Sequence, residues 1–486
     1  MRARLELFVA GLSAAIAVAL HALFFLSAGP LWRDEVVTLH VATSPFHLLW
    51  QRLQFESFPL PFSLLVRAWC GVAGESIASL RLFGVITGLA IIAACWIAAR
   101  TLGSRTPAVA IALVALNASV VRYGDSLRGY GWSIVAGLLS VAAIYRAVAT
   151  PSRRAWMLAA VAAIASVQSS FHNSVLLAAT CIAAAALARE QIAKLAAVAA
   201  AAAVSLLPYV PAMRARAQWT SIETYGVDFS WIVRSAFTAA GLVDVLAIAV
   251  AIALAMRART LSARFALLTT LLFAAGQLAF IKAVGYAPQP WYFVLLIAVA
   301  GVCADAMSDR GRVIIAVAAA ALSIQSAVAL ASQRASNVDV IAAATRLASP
   351  DDVVIVYPWY CGISFNQYAR GAWTTLPPLA DHTLQRYDLL LPLIAHADAV
   401  KPVVDGAARG LQSGHTLWIA GLPLGADSAG MLDDPRTAIP YVRSDAMWCD
   451  ELRAVIHANA HHATLVVPPD PQTSIYERMQ LIALRR

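Results

Sequence analysis

LFVAGLSAAIAVALHALFFLSA at residues 7–28, with Trp32-Arg33-Asp34-Glu35 close behind it, decides how the rest of this chain is read. The apolar run is long enough to cross the hydrocarbon core of a bilayer, which takes about 20 residues of helix. The two adjacent carboxylates therefore fall at a membrane–water interface. Carboxylates there are costly to keep dry and are either solvated or functional. A cleavable signal would look similar, but this run exceeds a usual signal core, and Ser27-Ala28-Gly29-Pro30 is a weak cleavage match. A retained anchor is expected.

Outward from this stretch the same solvent logic holds. Hydrophobic residues make up 60% of the 486-residue chain and charged residues 13%, against about 25% charged in a soluble domain. Mean hydropathy is +0.70. Apolar runs of roughly 17–22 residues, the span of a bilayer, repeat up to Ser332; beyond it charges, prolines and histidines return. Eleven spans are expected, near 7–28, 80–99, 107–122, 131–149, 156–171, 174–188, 192–209, 235–256, 264–284, 291–308 and 312–332. The expected fold is a polytopic α-helical membrane domain over 1–335, with a long first outer loop at 29–79, followed by a soluble domain over 336–486. That second domain reads as α/β: a helical stretch at Val338–Leu347, then strand patterns at 353–357, 416–420 and 463–467.

The net charge of +9 does not mark a nucleic-acid surface. Its arginines and lysines cluster in short connections: Arg100 and Arg105; Arg146, Arg153 and Arg154; Arg189 and Lys194; Arg257, Arg259 and Arg264; Arg310 and Arg312. Arg2 and Arg4 precede the first span. These clusters occupy alternate loops, the positive-inside pattern, which puts the N-terminus inside and the C-terminal domain outside. Six cysteines show no metal-ligand spacing. Cys361 and Cys449 are the two in the C-terminal domain, where an extracytoplasmic setting permits a disulfide without requiring one. His461-His462 lacks other spaced ligands and reads as surface.

Polar and aromatic groups collect in the outer loops. The first contains Trp32-Arg33-Asp34-Glu35, Glu56, and apolar segments too short to span, with Trp50 and Trp69 suited to the headgroup level. These segments either anchor the loop or wall a cavity open to lipid. The second is Arg122-Tyr123-Gly124-Asp125-Ser126-Leu127-Arg128-Gly129-Tyr130. An interfacial arginine is suited to a phosphate; an Arg–Asp pair that only ties two helices is the alternative. The third holds His172, more often a hydrogen-bonding residue than a catalyst. The fourth carries Arg214, Arg216, Glu223, Tyr225 and Asp228, and the fifth carries Lys282, Trp291 and Tyr292. Within the spans Asp244, Gln277 and Asp305 are the main polar exceptions. A transporter places more polar groups near the midplane, so the asymmetry favours chemistry on the outer face.

With these motifs in order, the chain resembles the polyprenyl-phosphate-sugar-dependent membrane glycosyltransferases of the GT-C fold. Within them it is most similar to the bacterial dolichyl-phosphate-mannose protein mannosyltransferases and the lipid A aminoarabinose transferases. Such proteins read Trp-x-Asp-Glu, then His-Pro-Pro-Leu-Tyr-Tyr, then Arg-Leu-Pro. This chain has Trp32-Arg33-Asp34-Glu35, Phe58-Pro59-Leu60-Pro61-Phe62 and Arg81-Leu82-Phe83. Their Glu-x-Arg-x-Tyr is matched by Asp125-Ser126-Leu127-Arg128-Gly129-Tyr130, with one more residue between acid and arginine. Phe58 replaces the usual histidine, and Trp291-Tyr292 stands where an Arg-Tyr often opens a late span.

The resemblance covers residues 1–335. It implies a sugar on a polyprenyl phosphate as donor, an acceptor hydroxyl on a glycan, lipid or protein, and a site on the outer face of a bacterial cytoplasmic membrane. Asp34 is then the expected general base, with Glu35 orienting the acceptor or Asp34. Arg128 is the expected phosphate clamp, supported by Arg122 or Lys282. Asp125, Tyr130, His172, Glu56 and Tyr292 are expected in supporting or acceptor-binding roles. No metal is expected to be obligatory, although a divalent cation at Asp125 stays an open option. Two rival classes remain: a flippase or transporter of a lipid-linked sugar, and a non-catalytic envelope-assembly protein.

Overall fold

The computed structural model describes residues 2–219, 222, 224, 226–256, 260–308, 311–396, 398–424 and 440–486. Glu223, Tyr225, Arg257, Arg259 and Arg310 lie outside the described residues. The chain forms two compact units. One comprises Met1–Ser27, Ser57–Met213 and Val227–Ser332; the other comprises Ala28–Glu56, Arg214–Gly226 and Gln333–Arg486. The sequence boundaries set the whole loop 29–79 with the membrane domain. In the structure its first part, Ala28–Glu56, and the short segment Arg214–Gly226 belong to the same unit as the C-terminal region.

The first unit is helical. Among the described residues, six helices are long and apolar enough to cross a membrane, or seven if Phe229–Ala240 and Leu242–Ala255, bent by 97°, form one span. Each of the eleven expected stretches is helical, but several are short or broken. Asn173–Leu187 and Val294–Met307 are shorter apolar helices, and the stretch near 107–122 passes through a π-helical segment, Ile111–Ala115, before Ala118–Gly124. Broken helices leave backbone groups that lipid cannot satisfy, and the polar residues of the spans meet this need. Asp305 Oδ2 accepts from the backbone N–H groups of Val109 (2.8 Å) and Ala110 (3.0 Å). Asn117 Nδ2 donates to the Ala240 carbonyl (2.9 Å) and to Asp244 Oδ2 (2.7 Å) at the 97° bend. Gln277 Nε2 donates to the Tyr292 carbonyl at 2.9 Å. All three polar exceptions therefore tie helix breaks together.

Glycines set how closely the loop 122–130 approaches its neighbours in this unit. A β-carbon at Gly84 would lie 2.0 Å from the Asp125 carbonyl oxygen, and one at Gly88 would lie 2.5 Å from both Asp125 Oδ1 and the His21 ring. The four-residue spacing puts both glycines on one face of the helix Ile77–Thr101, the small-xxx-small device that lets backbones approach in a membrane.

The second unit holds a five-stranded sheet of order β2-β1-β3-β5-β4. Its strands are β1 (Val353–Tyr357), β2 (Thr374–Thr375), β3 (Leu417–Gly421), β4 (His462–Val467) and β5 (Gln480–Arg485). β1 pairs in parallel with β2 and β3, whereas β5 runs antiparallel to β3 and β4. β1 and β3 are near-continuous apolar runs, as strands covered on both faces require. Val354, Val356, Trp418, Ala420, Leu481 and Ala483 form a core with Val338, Ile341 and Phe365 from the helices Val338–Ala344 and Cys361–Tyr368. The expected strands are present; β2 and β5 were not foreseen. Cys361 and Cys449 are both buried and are not joined in a disulfide, and His461 and His462 are exposed.

Candidate active site

Within the second unit, the helix Arg33–Thr43 opens on the Trp-Arg-Asp-Glu motif. Four N–H groups at a helix start need outside acceptors. Glu35 supplies one by reaching back: its Oε2 accepts from the Trp32 backbone N–H at 3.2 Å, half of a capping box. Glu35 is fully buried. Asp34, one residue earlier, keeps 13% of its side chain exposed, and its Oδ1 lies 3.5 Å from Arg33 Nε. The same oxygen accepts from Gln385 Nε2 at 2.9 Å. The two carboxylates are thus separated by environment: one caps the helix and the other meets solvent.

Arg33 is the anchor of the motif. Its guanidinium stands 4.4 Å from the Tyr360 ring centroid and 5.6 Å from that of Trp32, and NH1 donates to the Tyr476 carbonyl at 3.1 Å. Burial works against its charge, but Asp34 and the other acidic neighbours outweigh it and hold its pKa above the ordinary arginine value. The Arg33 backbone N–H donates to Glu477 Oε1 at 3.2 Å. Glu477 is fully buried; its Oε2 accepts from Ser364 Oγ at 2.8 Å and Ser336 Oγ at 3.1 Å. Burial pushes the Glu477 carboxyl up to about 7, against the opposing pull of Arg33 and its hydrogen bonds. Glu56 braces the same helix, accepting from Thr38 Oγ1 at 2.8 Å. Arg216, from the fourth loop, donates to the Glu56 carbonyl at 3.3 Å and lies 5.3 Å from the Trp219 ring centroid.

Within the first unit, the loop 122–130 and the start of the helix Ile77–Thr101 carry buried cations. Arg122 and Arg128 are 6% and 4% exposed, and Arg81 is 3% exposed. Burying a guanidinium is expensive unless partners or a charged ligand compensate. Arg122 and Arg81 lie 5.1 and 5.8 Å from the Phe24 ring centroid. Arg128 lies 5.0 Å from that of Phe58, the residue standing where the resemblance expects a histidine. Tyr130 packs edge-on against the same ring at 5.0 Å. Asp125 engages a residue overlooked in the sequence: His21 Nδ1 lies 2.7 Å from its Oδ2, and both side chains are buried. The positive charge of Arg81 also acts on Asp125.

The remaining candidates of this unit have local partners. His172 is ringed by Phe280 (4.6 Å between ring centroids) and Tyr292 (6.3 Å). Tyr292 also contributes the carbonyl that Gln277 caps. Lys282 Nζ donates to the Val227 carbonyl at 2.5 Å. Among the described residues no group of three or more His, Cys, Asp or Glu could hold a metal ion.

The fold has solved counterparts. The chain is similar to ArnT from Cupriavidus metallidurans bound to undecaprenyl phosphate, with a TM-score of 0.59, 14% identity, and 97% of this chain and 98% of that one covered. The apo state of the same protein matches with the same TM-score and identity. An Archaeoglobus fulgidus oligosaccharyltransferase, tethered to an acceptor peptide containing the NVT sequon, matches at a TM-score of 0.54 and 12% identity over 93% of this chain and 71% of that one. These are GT-C fold glycosyltransferases, and the likeness over nearly the whole chain gives this protein the GT-C fold. No protein-family model matches the chain, and no curated protein matches it.

Proposed function

We propose that this protein is a membrane glycosyltransferase that moves a sugar from a polyprenyl-phosphate donor to an acceptor hydroxyl. The observation that carries this reading is the division of labour inside the motif of a GT-C fold: Glu35 is fully buried as a helix cap, while Asp34 remains partly exposed. A general base has to reach the hydroxyl it deprotonates, and of the two carboxylates Asp34 is the one with solvent contact.

In the proposed reaction the acceptor oxygen attacks the anomeric carbon and its proton passes to Asp34. The bond from the anomeric carbon to the phosphate oxygen breaks, and its electron pair leaves on the lipid phosphate. Preorganised positive charge stabilises that leaving group. Arg128 is assigned this role, supported by Arg122; Arg81 belongs with them as a third buried cation. Lys282 adds positive charge from the fifth loop, and its bond to the Val227 carbonyl fits an accessory role. Tyr130 shapes the Phe58 surface beside Arg128. His172, Tyr292 and Glu56 are assigned supporting roles and Asp125 holds His21. The base and the phosphate-binding cations are protein groups, so the reaction as proposed has no obligatory metal step.

The distribution of basic residues supports an arrangement with eleven membrane segments, the N-terminus inside, and the motif and C-terminal region on the outer face of a bacterial inner membrane. The test is to incubate the purified protein with a panel of polyprenyl-phosphate sugars and candidate glycan, lipid and protein acceptors. Release of lipid phosphate together with sugar on an acceptor is the expected result. Movement of intact donor between leaflets without consumption would instead identify a flippase and overturn the proposal.

A further inference from the structure

The second unit presents a side chain to Asp34 that no local sequence pattern marks. Gln385 Nε2 donates to Asp34 Oδ1 at 2.9 Å across 351 residues of sequence. Gln385 sits in a segment braced from within. Arg386 makes a bidentate pair with Asp388 (2.8 and 2.7 Å) and reaches Asp381 with NH1 at 2.6 Å. Asp381 also accepts from the Thr383 backbone N–H (2.8 Å) and hydroxyl (2.6 Å). The Thr383 carbonyl is in turn 2.7 Å from His40 Nδ1, on the helix that carries Asp34. The segment therefore grips the helix Arg33–Thr43 at two points, Asp34 and His40, about 9 Å apart along the axis.

A general base needs its carboxylate ionised and held in one orientation. A hydrogen bond from a neutral amide supplies the second: it fixes the plane of the carboxylate, so less orientation is lost in the transition state. We propose that Gln385 is a positioning residue for Asp34, through which the braced segment Asp381–Asp388 presents the base to the acceptor. The inference rests on the reading of Asp34 as the base.

The experiment compares Gln385→Ala and Gln385→Glu with the wild type in the full-length protein, by pH profiles of kcat/KM, donor KM and thermal unfolding. Gln385→Ala is expected to lower kcat about tenfold, with donor KM within about twofold, because orientation is lost and donor binding is not. Gln385→Glu sets a second carboxylate beside Asp34, and its acidic limb is expected to move up by about one pH unit or more. Gln385 is partly buried, and thermal unfolding reports whether each variant folds. An acidic limb unmoved in Gln385→Glu overturns the proposal, and so does a Gln385→Ala variant with the kcat of the wild type; if Gln385→Glu unfolds, the kcat of Gln385→Ala decides. A wild type that turns over no polyprenyl-phosphate sugar overturns the base assignment itself, and that control separates the two failures.

Discussion

Replacing Glu477 by glutamine should make the protein more stable at alkaline pH and leave it nearly unchanged at pH 5. Glu477 is buried beside Arg33, Tyr360 and Cys361, and its carboxyl is lifted from an ordinary 4.5 to about 7. Between these values the folded state holds a proton that the unfolded state has released, so stability falls as pH rises. The contribution is fully present below 4.5 and lost as pH passes 7; the ionised carboxyl then leaves the fold about 3 kcal/mol less stable than at acid pH. Glutamine does not ionise. Its oxygen can accept from the Arg33 N–H, and its amide can donate to the Ser364 and Ser336 hydroxyls, which rotate to suit. Allowing about 1 kcal/mol for a less favourable hydrogen bond, the variant should exceed the wild type by about 2 kcal/mol at pH 8. For a unit of this size that is roughly 5 °C in Tm. Asp445, lifted by burial to about 6, gives a slope of the same sign in both proteins, so the difference between them isolates Glu477. Asp352 and Asp381 are held below the ordinary range by their hydrogen bonds, despite burial, and act at lower pH. The assay is thermal unfolding of both proteins in nanodiscs at pH 5, 6, 7 and 8. Parallel pH slopes, or a variant less stable than wild type at pH 8, would refute the reasoning.

Three further outcomes are expected. Glu35→Gln keeps an acceptor for the Trp32 N–H, so transfer should stay within several-fold of wild type, whereas Glu35→Ala should cost about 1 kcal/mol in thermal unfolding as a lost cap does. Gly84→Ala forces a methyl against the Asp125 backbone and should cost about 1–3 kcal/mol, while Gly11→Ala, with open space around it, should leave Tm unchanged. Arg128→Ala should raise donor KM by about tenfold or more, since a hydrogen bond to a charged group contributes about 1.5–3 kcal/mol; an unchanged donor KM in steady-state kinetics removes its phosphate role.

The helical character of the first unit was legible because burial in lipid prints itself on composition: each expected stretch contains helix, though among the described residues six or seven helices are long and apolar enough to cross a membrane. Less legible were the breaks. Asn117 and Gly241 punctuate apolar runs, but only the structure pairs Asn117 with Asp244 and the Ala240 carbonyl. The motif Trp32-Arg33-Asp34-Glu35 was visible, yet the capping role of Glu35 was hidden by a tryptophan where a capping box usually has serine or threonine. Gln385 and Glu477 meet the motif across 351 and 444 residues, contacts with no periodic or spacing signal. His21 did leave a trace: a lone histidine in an apolar span is a functional or paired residue by default, and its partner proved to be Asp125. Hydropathy follows the solvent of each segment and not its packing, so the grouping of Ala28–Glu56 with the C-terminal region was not legible.

The central claim is that Asp34 takes the acceptor proton, and lipid-phosphate release by Asp34→Asn tests it most directly. Asparagine preserves size and leaves an oxygen for Gln385, so folding and donor binding should be retained. Transfer from a polyprenyl-phosphate sugar should fall by at least about 10²-fold, the contribution of a general base. Near-normal release of lipid phosphate by Asp34→Asn would contradict the account.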